Sequence, residues 1–291
     1  MSDSQQSWKH AVAGCTAGLT SVLALHPLDV VKTRLQVQDG VAGALPIYYG
    51  TRDALFRIVQ DEGWRALYAG ISPALLGAGL SWGIYFTAYN NAKMRWQGLR
   101  NEASLPAPLH LLSAAEAGCM VCLLTNPIWV IKTRLQLQRV STLKTAGFYR
   151  GLFPSLLLVS HGAIQFMVYE ELKKVASGPL MREDLNNVGK HSLTALEASV
   201  IGAVSKLAAS IVTYPSQVVR ARIQQRQDQF RGVRYDSGWC TLRVTMRREG
   251  VRGLYKGLLP NVLRVMPQSA ITFLIYEKVM QLLDNHIQWP S

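Results

Sequence analysis

Three segments of this chain set basic residues and a glutamine at fixed distances after a proline. They read Pro27-Leu-Asp29-Val-Val-Lys32-Thr-Arg34-Leu-Gln36, Pro127-Ile-Trp129-Val-Ile-Lys132-Thr-Arg134-Leu-Gln136 and Pro215-Ser-Gln217-Val-Val-Arg220-Ala-Arg222-Ile-Gln224. On a helix, the residue two after the proline and the residue five after it lie about one turn apart on one face. That face can make ion pairs, cation-π contacts and amide-to-ammonium hydrogen bonds. Nine residues before each proline stand Gly18, Gly118 and Lys206. Glycines suit close helix packing, whereas a lysine in an apolar stretch is costly unless it lines water, meets an anion or snorkels. Trp82, Tyr85 and Trp129 offer flat faces for stacking. The sequence shows no nucleophile with a base, no metal-ligand cluster and no Gly-rich phosphate loop, so this chemistry is binding, not catalysis. Cys119-Met-Val-Cys122 has a redox spacing but no strand beside it, and Gly77-Ala-Gly79 with Gly83 has the wrong spacing for a dinucleotide loop.

The elements that position these residues are apolar. Hydrophobic residues make up 49% of 291, charged ones 17%, and the mean hydropathy is +0.10, yet the net charge is +13 and the pI about 9.8. Nucleic-acid binding is excluded because the basic residues sit at the ends of apolar stretches and form no patch on a polar domain. Six stretches qualify: roughly 11–31, 72–88, 109–131, 152–168, 193–219 and 258–279. A helix needs about 20 residues to cross a bilayer. Interruption by Gly, Ser, Thr and isolated charges suits helices that line a wet interior. The Arg-rich connections 37–65 and 226–256 place themselves on one side, with both termini opposite. The first ten residues have neither an Arg-rich amphipathic stretch nor a signal-type apolar run, which argues against a cleaved presequence.

The chain is a threefold repeat, its prolines 100 and then 88 residues apart. In repeat 1 a helical periodicity over 51–60 precedes Glu62-Gly63, then Tyr68-Ala-Gly70 and Pro73. Repeat 3 copies this with 241–248, Glu249-Gly250, Tyr255-Lys-Gly257 and Pro260. The short amphipathic piece suits a helix lying on the membrane surface, with glycine ending it and proline opening the next span. Pro27 to Gly70 is 43 residues and Pro215 to Gly257 is 42, but Pro127 to Gly151 is only 24. One surface helix and its Glu-Gly stop are therefore missing from repeat 2, through a true deletion or through loss of a coding segment from this sequence.

The three proline signatures, the Glu-Gly and aromatic-x-Gly copies, and Tyr169-Glu170 and Tyr276-Glu277 near the ends of even helices resemble the mitochondrial carrier family over nearly the whole chain. The resemblance implies an all-α membrane protein with six transmembrane helices in a threefold pseudosymmetric bundle. Its repeats would span 8–98, 108–176 (shortened) and 192–284, with matrix-side surface helices in repeats 1 and 3 only. It also implies alternating access by a monomer. At the matrix gate the family pairing joins Asp29 with Lys132, sets Trp129 against Arg220 as a cation-π contact, and sets Gln217 against Lys32 as a hydrogen bond, with Gln36, Gln136 and Gln224 as braces beneath. At the cytoplasmic gate it joins Glu277 with Lys93, leaves a weaker Asn90 with Lys173, and sets Glu170 opposite Met280.

The family's three central contact points fall on Gly77, Leu157 and Arg264. Further along the same faces come Ser81 and Tyr85, His161 and Gln165, and Gln268 and Thr272. Arg264 and Lys206 would hold anionic ends, and Trp82, Tyr85 and Trp129 would stack on a planar heterocycle. His161 also reads as a packed hydrogen-bonding residue, and Glu116 as an interhelical one. Asn126-Pro-Ile-Trp129, Ser160 to Phe166 and Ser81-Trp-Gly83 resemble the family's folate and FAD branch, especially its plastid-envelope members. The substrate expected is therefore folate, with FAD as the alternative. A carrier-like protein that does not transport is a further alternative, given repeat 2. No cofactor, metal or nucleic acid is expected; the lipid bilayer is, with cardiolipin or another anionic lipid.

Overall fold

The computed structural model describes residues 3–38, 46–100, 106–137, 148–176, 195–225 and 237–286, and among these there are helices and no strand. Repeat 1 contains α1 (Asp3–Val37), α2 (Thr51–Glu62), a 3₁₀ turn (Trp64–Tyr68) and α3 (Ile71–Arg100). Repeat 2 contains α4 (Ala107–Leu137), α5 (Leu152–Leu157) and α6 (Ser160–Ala176). Repeat 3 contains α7 (Ala195–Gln224), α8 (Gly238–Gly253) and α9 (Leu258–His286). The expected loss of a surface helix falls mainly on 138–147, outside the described residues.

Among the described residues, five helical stretches are long and apolar enough to cross a membrane: Val12–Val37, Trp64–Leu99, Pro108–Leu137, Leu152–Val175 and Leu258–Leu283. The remaining long helix, α7, has 30 residues, but carries Lys206, Gln217 and Arg220 among its apolar ones. Pro27, Pro127, Pro215 and Pro267 all lie inside helices. Membrane helices tolerate this because neighbouring groups satisfy the freed carbonyls.

The helices close a ring in which each even helix lies along the odd helix of the next repeat: α3 along α4, the α5–α6 pair along α7, and α9 along α1. The odd helices α1, α4 and α7 also touch one another. Three glycines fix this joint. Gly70 (φ +76°), Gly151 (φ +76°) and Gly257 (φ +82°) adopt a left-handed backbone open to few other residues. A Cβ there would lie 3.0 Å from the Lys132 carbonyl oxygen, 3.4 Å from that of Arg220 and 2.9 Å from that of Lys32. Those are the basic residues five after each proline, so each even helix starts against the signature of the following repeat.

Within repeats 1 and 3 a buried arginine clamps the short helix that follows the odd one, α2 and α8. Arg34 makes a bidentate pair with Glu62 at 2.6 and 2.7 Å and donates to the Tyr48 hydroxyl. Arg222 does the same with Glu249 at 2.6 and 3.0 Å and donates to Thr245. Each also donates from Nε to a main-chain carbonyl of the next repeat, at Gln136 and Gln36.

The stretch 152–168 differs from the single helix its hydropathy suggests. It breaks at Leu158 and Val159, where backbone bonds run to the third residue back and Ser160 Oγ donates to the Leu157 carbonyl at 2.7 Å. A serine hydroxyl competing for that carbonyl, beside a β-branched valine, tightens the turn. Val159 is seated on Gly118, where a Cβ would come within 2.8 Å of it.

Candidate transport site

The proline signatures converge on a cavity of about 410 Å³, a size in the range of small-molecule sites. Its wall includes Lys32, Lys132, Lys206, Arg220 and Arg264, with Asp29 as the one carboxylate. Five cations against one acid give this wall a net positive charge. The cations are set in a largely apolar bundle, where such charges act strongly on a ligand.

Asp29 is the hub of the floor. Its Oδ2 receives the Lys132 ammonium at 2.5 Å and the Gln136 amide at 3.0 Å, and its Oδ1 receives Arg264 at 3.4 Å. Gln136 in turn accepts from Thr33 at 2.8 Å. Gln224 accepts from Thr133 at 3.1 Å, the matching contact one repeat on. Gln36 meets no threonine, because the third copy has Ala221 where the others have Thr33 and Thr133; its side chain lies against the Tyr214 hydroxyl instead. Lys32 donates to Gln217 at 3.0 Å and to Asn261 at 2.8 Å. Asn261 was not anticipated. It lies three residues before Arg264 on α9, so the two share a helix face, and that spacing was the available signal.

Several expected contacts take another form. The cation over the Trp129 indole is Lys132, at 5.2 Å, and not Arg220. The two share a helix three residues apart and so are neighbours on its surface. Arg220 lines the cavity without an ion pair among the described residues. Arg264 does not stand as a free anchor but touches Asp29. Leu157 points out, 50% exposed, and Leu158 lines the cavity in its place, because the tight turn after α5 shifts the helical register. Gly18 has open space where a Cβ would be, so close packing does not account for it.

Lys206 and His161 both line the cavity, and His161 shares a hydrogen bond with Thr213 at 3.0 Å. Gln268 lines a neighbouring space of about 220 Å³ together with Arg264, Asp29 and Trp129. Gly77 packs on Ile128 and Trp129. Ser81, Trp82, Tyr85 and Gln165 line neither space. Trp82, 62% exposed, stacks on Phe86, and Tyr85 stacks on Tyr89, whose hydroxyl meets His110. These rings satisfy one another along α3, so only Trp129 of the three expected stacking residues reaches the cavity. Glu116 pairs with Arg95 between α4 and α3.

At the opposite end of the bundle, Lys93 and Glu277 form no ion pair among the described residues, and Asn90, Lys173 and Glu277 are exposed while Glu170 is half-buried. The polar contacts among all three odd helices lie at the end bearing the proline signatures, among the described residues.

A family model described as mitochondrial carrier protein matches residues 3–99, 103–147 and 191–286. The chain belongs to the mitochondrial carrier family. Folate transporter 1, chloroplastic, of Arabidopsis thaliana is 45% identical over 297 aligned positions, covering 96% of each chain. That alignment is longer than the 291 residues here, so the relative has residues with no counterpart in this carrier. Nicotinamide adenine dinucleotide transporter 1, chloroplastic, of the same plant is 34% identical, covering 96% of this chain and 93% of its own. Solute carrier family 25 member 33 of Bos taurus is 32% identical, covering 96% of each. This carrier is a multi-pass protein of an organellar inner membrane, and the members of its family are transporters, not enzymes.

Proposed function

We propose that this carrier moves folates across an organellar inner membrane by alternating access, as a monomer of three repeats (8–98, 108–176 and 192–284) with six spans, α7 supplying the sixth. The observation that carries the reading is the 45% identity to a folate transporter across 96% of both chains, against 34% to a dinucleotide transporter. The cavity supports it: Arg264, Lys206 and Arg220 offer donors to glutamate carboxylates, and Trp129 offers a ring face. In the proposed cycle the Asp29–Lys132 pair, Gln217, Arg220 and the three glutamines form the matrix gate. Lys93, Lys173, Asn90, Glu170 and Glu277 form the cytoplasmic gate, which closes when the matrix gate opens. His161 and Gln268 form the upper wall, with Gly77 packed behind it on Trp129. No cofactor or catalytic residue enters the cycle.

A second reading, FAD or a related dinucleotide, draws on the same five cations, which suit a pyrophosphate as well as a carboxylate. The lipid partner proposed is an anionic one such as cardiolipin. Exposed Trp64 and Trp239 each have an arginine over the ring, Arg65 at 5.6 Å and Arg243 at 5.9 Å, which suits a charged membrane interface.

The test is uptake of labelled folate by liposomes containing this chain, with and without excess FAD. Saturable uptake that FAD does not compete supports the folate reading, and strong competition transfers it to the flavin. Arg264→Ala is expected to lower saturable uptake at least about a hundredfold while leaving insertion intact, since it removes a bidentate donor from the site. Absence of uptake, restored by inserting a repeat 1 surface-helix segment after Gln138, would show that the chain lacks a working part.

A further inference from the structure

Arg264 faces two ways. It lines the cavity beside Lys206, and it also reaches Asp29, which Lys132 holds from the other side. The two contacts on Asp29 are unequal: Lys132 lies at 2.5 Å and shares Oδ2 with Gln136, whereas Arg264 makes one contact at 3.4 Å. Its Nε is buried without an acceptor. A guanidinium has five N–H donors and binds a carboxylate or phosphate best through two parallel bonds. Arg264 is thus engaged by an acid that satisfies only part of it. Lys206 and Arg220, by contrast, have no carboxylate in ion-pair contact among the described residues.

We propose that Asp29 is an internal competitor for the ligand's anionic group. A carboxylate or phosphate arriving in the cavity takes both donor edges of Arg264 and displaces Asp29 from it, leaving Asp29 to Lys132 and Gln136 alone. This rests on the transport reading above, and it adds that Asp29 sets which anions are held: a group that cannot bind Arg264 in two places gains little over the resident acid. Asp29 is a specificity-determining residue here as well as a gate residue. The gate also loses one of its attachments to α9 when ligand binds, while Asn261 keeps Lys32 attached to the same helix. No proton or covalent bond changes hands; one acceptor replaces another.

The experiment compares wild type, Asp29→Asn and Lys132→Met in detergent by two readouts. The first is the rate at which phenylglyoxal modifies Arg264, with Arg220 in the same cavity as internal reference, resolved by peptide mass spectrometry. Asp29→Asn is expected to speed modification of Arg264 about fivefold, the scale of one long ion-pair contact, and to leave Arg220 unchanged. Lys132→Met leaves Asp29 to Arg264 and is expected to slow Arg264 alone. Equal changes at both arginines would mean a general field effect and would overturn the proposal. The second readout is binding of labelled folate, expected to tighten about fivefold in Asp29→Asn. Wild-type binding that Asp29→Asn leaves unchanged or weakens also overturns the competition. If wild type binds no folate the substrate reading fails, and the arginine rates still decide the role of Asp29.

Discussion

Repeats 1 and 3 secure the ends bearing their proline signatures twice; repeat 2 does so once among the described residues. In all three, a left-handed glycine seats the even helix on the next repeat's signature, at Gly70, Gly151 and Gly257. Repeats 1 and 3 add a short helix, α2 or α8, held by a buried arginine and a glutamate, Arg34 with Glu62 and Arg222 with Glu249. Repeat 2 has no acidic residue anywhere between Glu116 and Glu170. The apolar residues flanking the signature reflect this: Val31, Leu35, Val219 and Ile223 are buried, whereas Ile131 and Leu135 are half-buried. The family match to repeat 2 also ends at residue 147, short of its even helix. The glycine seat joins one repeat to the next, and the short helix braces a repeat internally. The joint between repeats therefore does not depend on the brace within one.

The comparison would break first at Glu249. Removing its carboxylate leaves the fully buried Arg222 without its counterion, and stranding a buried charge costs about 3–5 kcal/mol. Glu249→Ala is accordingly expected to lower thermal stability in detergent by a large step. If it melts with wild type, the pair of Arg222 with Glu249 is no brace and the contrast between joint and brace fails.

Much of this joint was legible in the sequence. Glu62-Gly63 and Glu249-Gly250 locate the ends of α2 and the kink in α8, and Gly63 and Gly250 do take positive φ values of 84° and 65°. The spacing of Asp29 and Lys132 places both on facing helix sides, and they meet. Hydropathy did not reveal the break at Leu158, because the residues on either side are equally apolar and the cause is one hydroxyl competing for one carbonyl. Asn261 and the Arg264 contact were also hidden. Offsets from a proline give a helix face but not how far a side chain on a neighbouring helix reaches, and α9 meets α1 only once the ring is closed. The aromatic residues of α3 misled for the same reason: pattern placed Trp82 and Tyr85 on the cavity stripe, but stacking within the helix absorbed them.

The glycine seats give a smaller expected effect and sharpen the contrast between joint and brace. Gly257→Ala must hold an L side chain at φ +82° and push it against the Lys32 carbonyl at 2.9 Å, a loss of about 2–3 kcal/mol from backbone strain and overlap together. Gly250→Ala shares the left-handed backbone, φ +65°, but faces open space and is expected to cost only about 1 kcal/mol. Melting temperatures of the two variants measure the seat by difference. Equal losses would assign the whole effect to the backbone and remove the seat from the account.

The smallest effect is a pH dependence, and its sign follows from the same clamp. Burial raises the Glu249 pKa, but hydrogen bonds and charge attraction from Arg222 and Lys256 outweigh it and hold the carboxyl below the ordinary glutamate value. A group whose pKa is depressed on folding contributes stability that is present above its unfolded pKa and lost as pH falls through the folded one. Thermal stability due to this clamp is therefore expected to be flat from neutral pH down to about 5, and to fall at more acidic pH as Glu249 protonates. The decline is smaller than the loss in Glu249→Ala, since a protonated carboxyl still accepts from Arg222. Glu249→Gln removes the titrating group while keeping an acceptor, so it starts lower and declines less than wild type below pH 5. Parallel curves for the two proteins would place the acid sensitivity at other carboxylates and leave the clamp of repeat 3 without an electrostatic share.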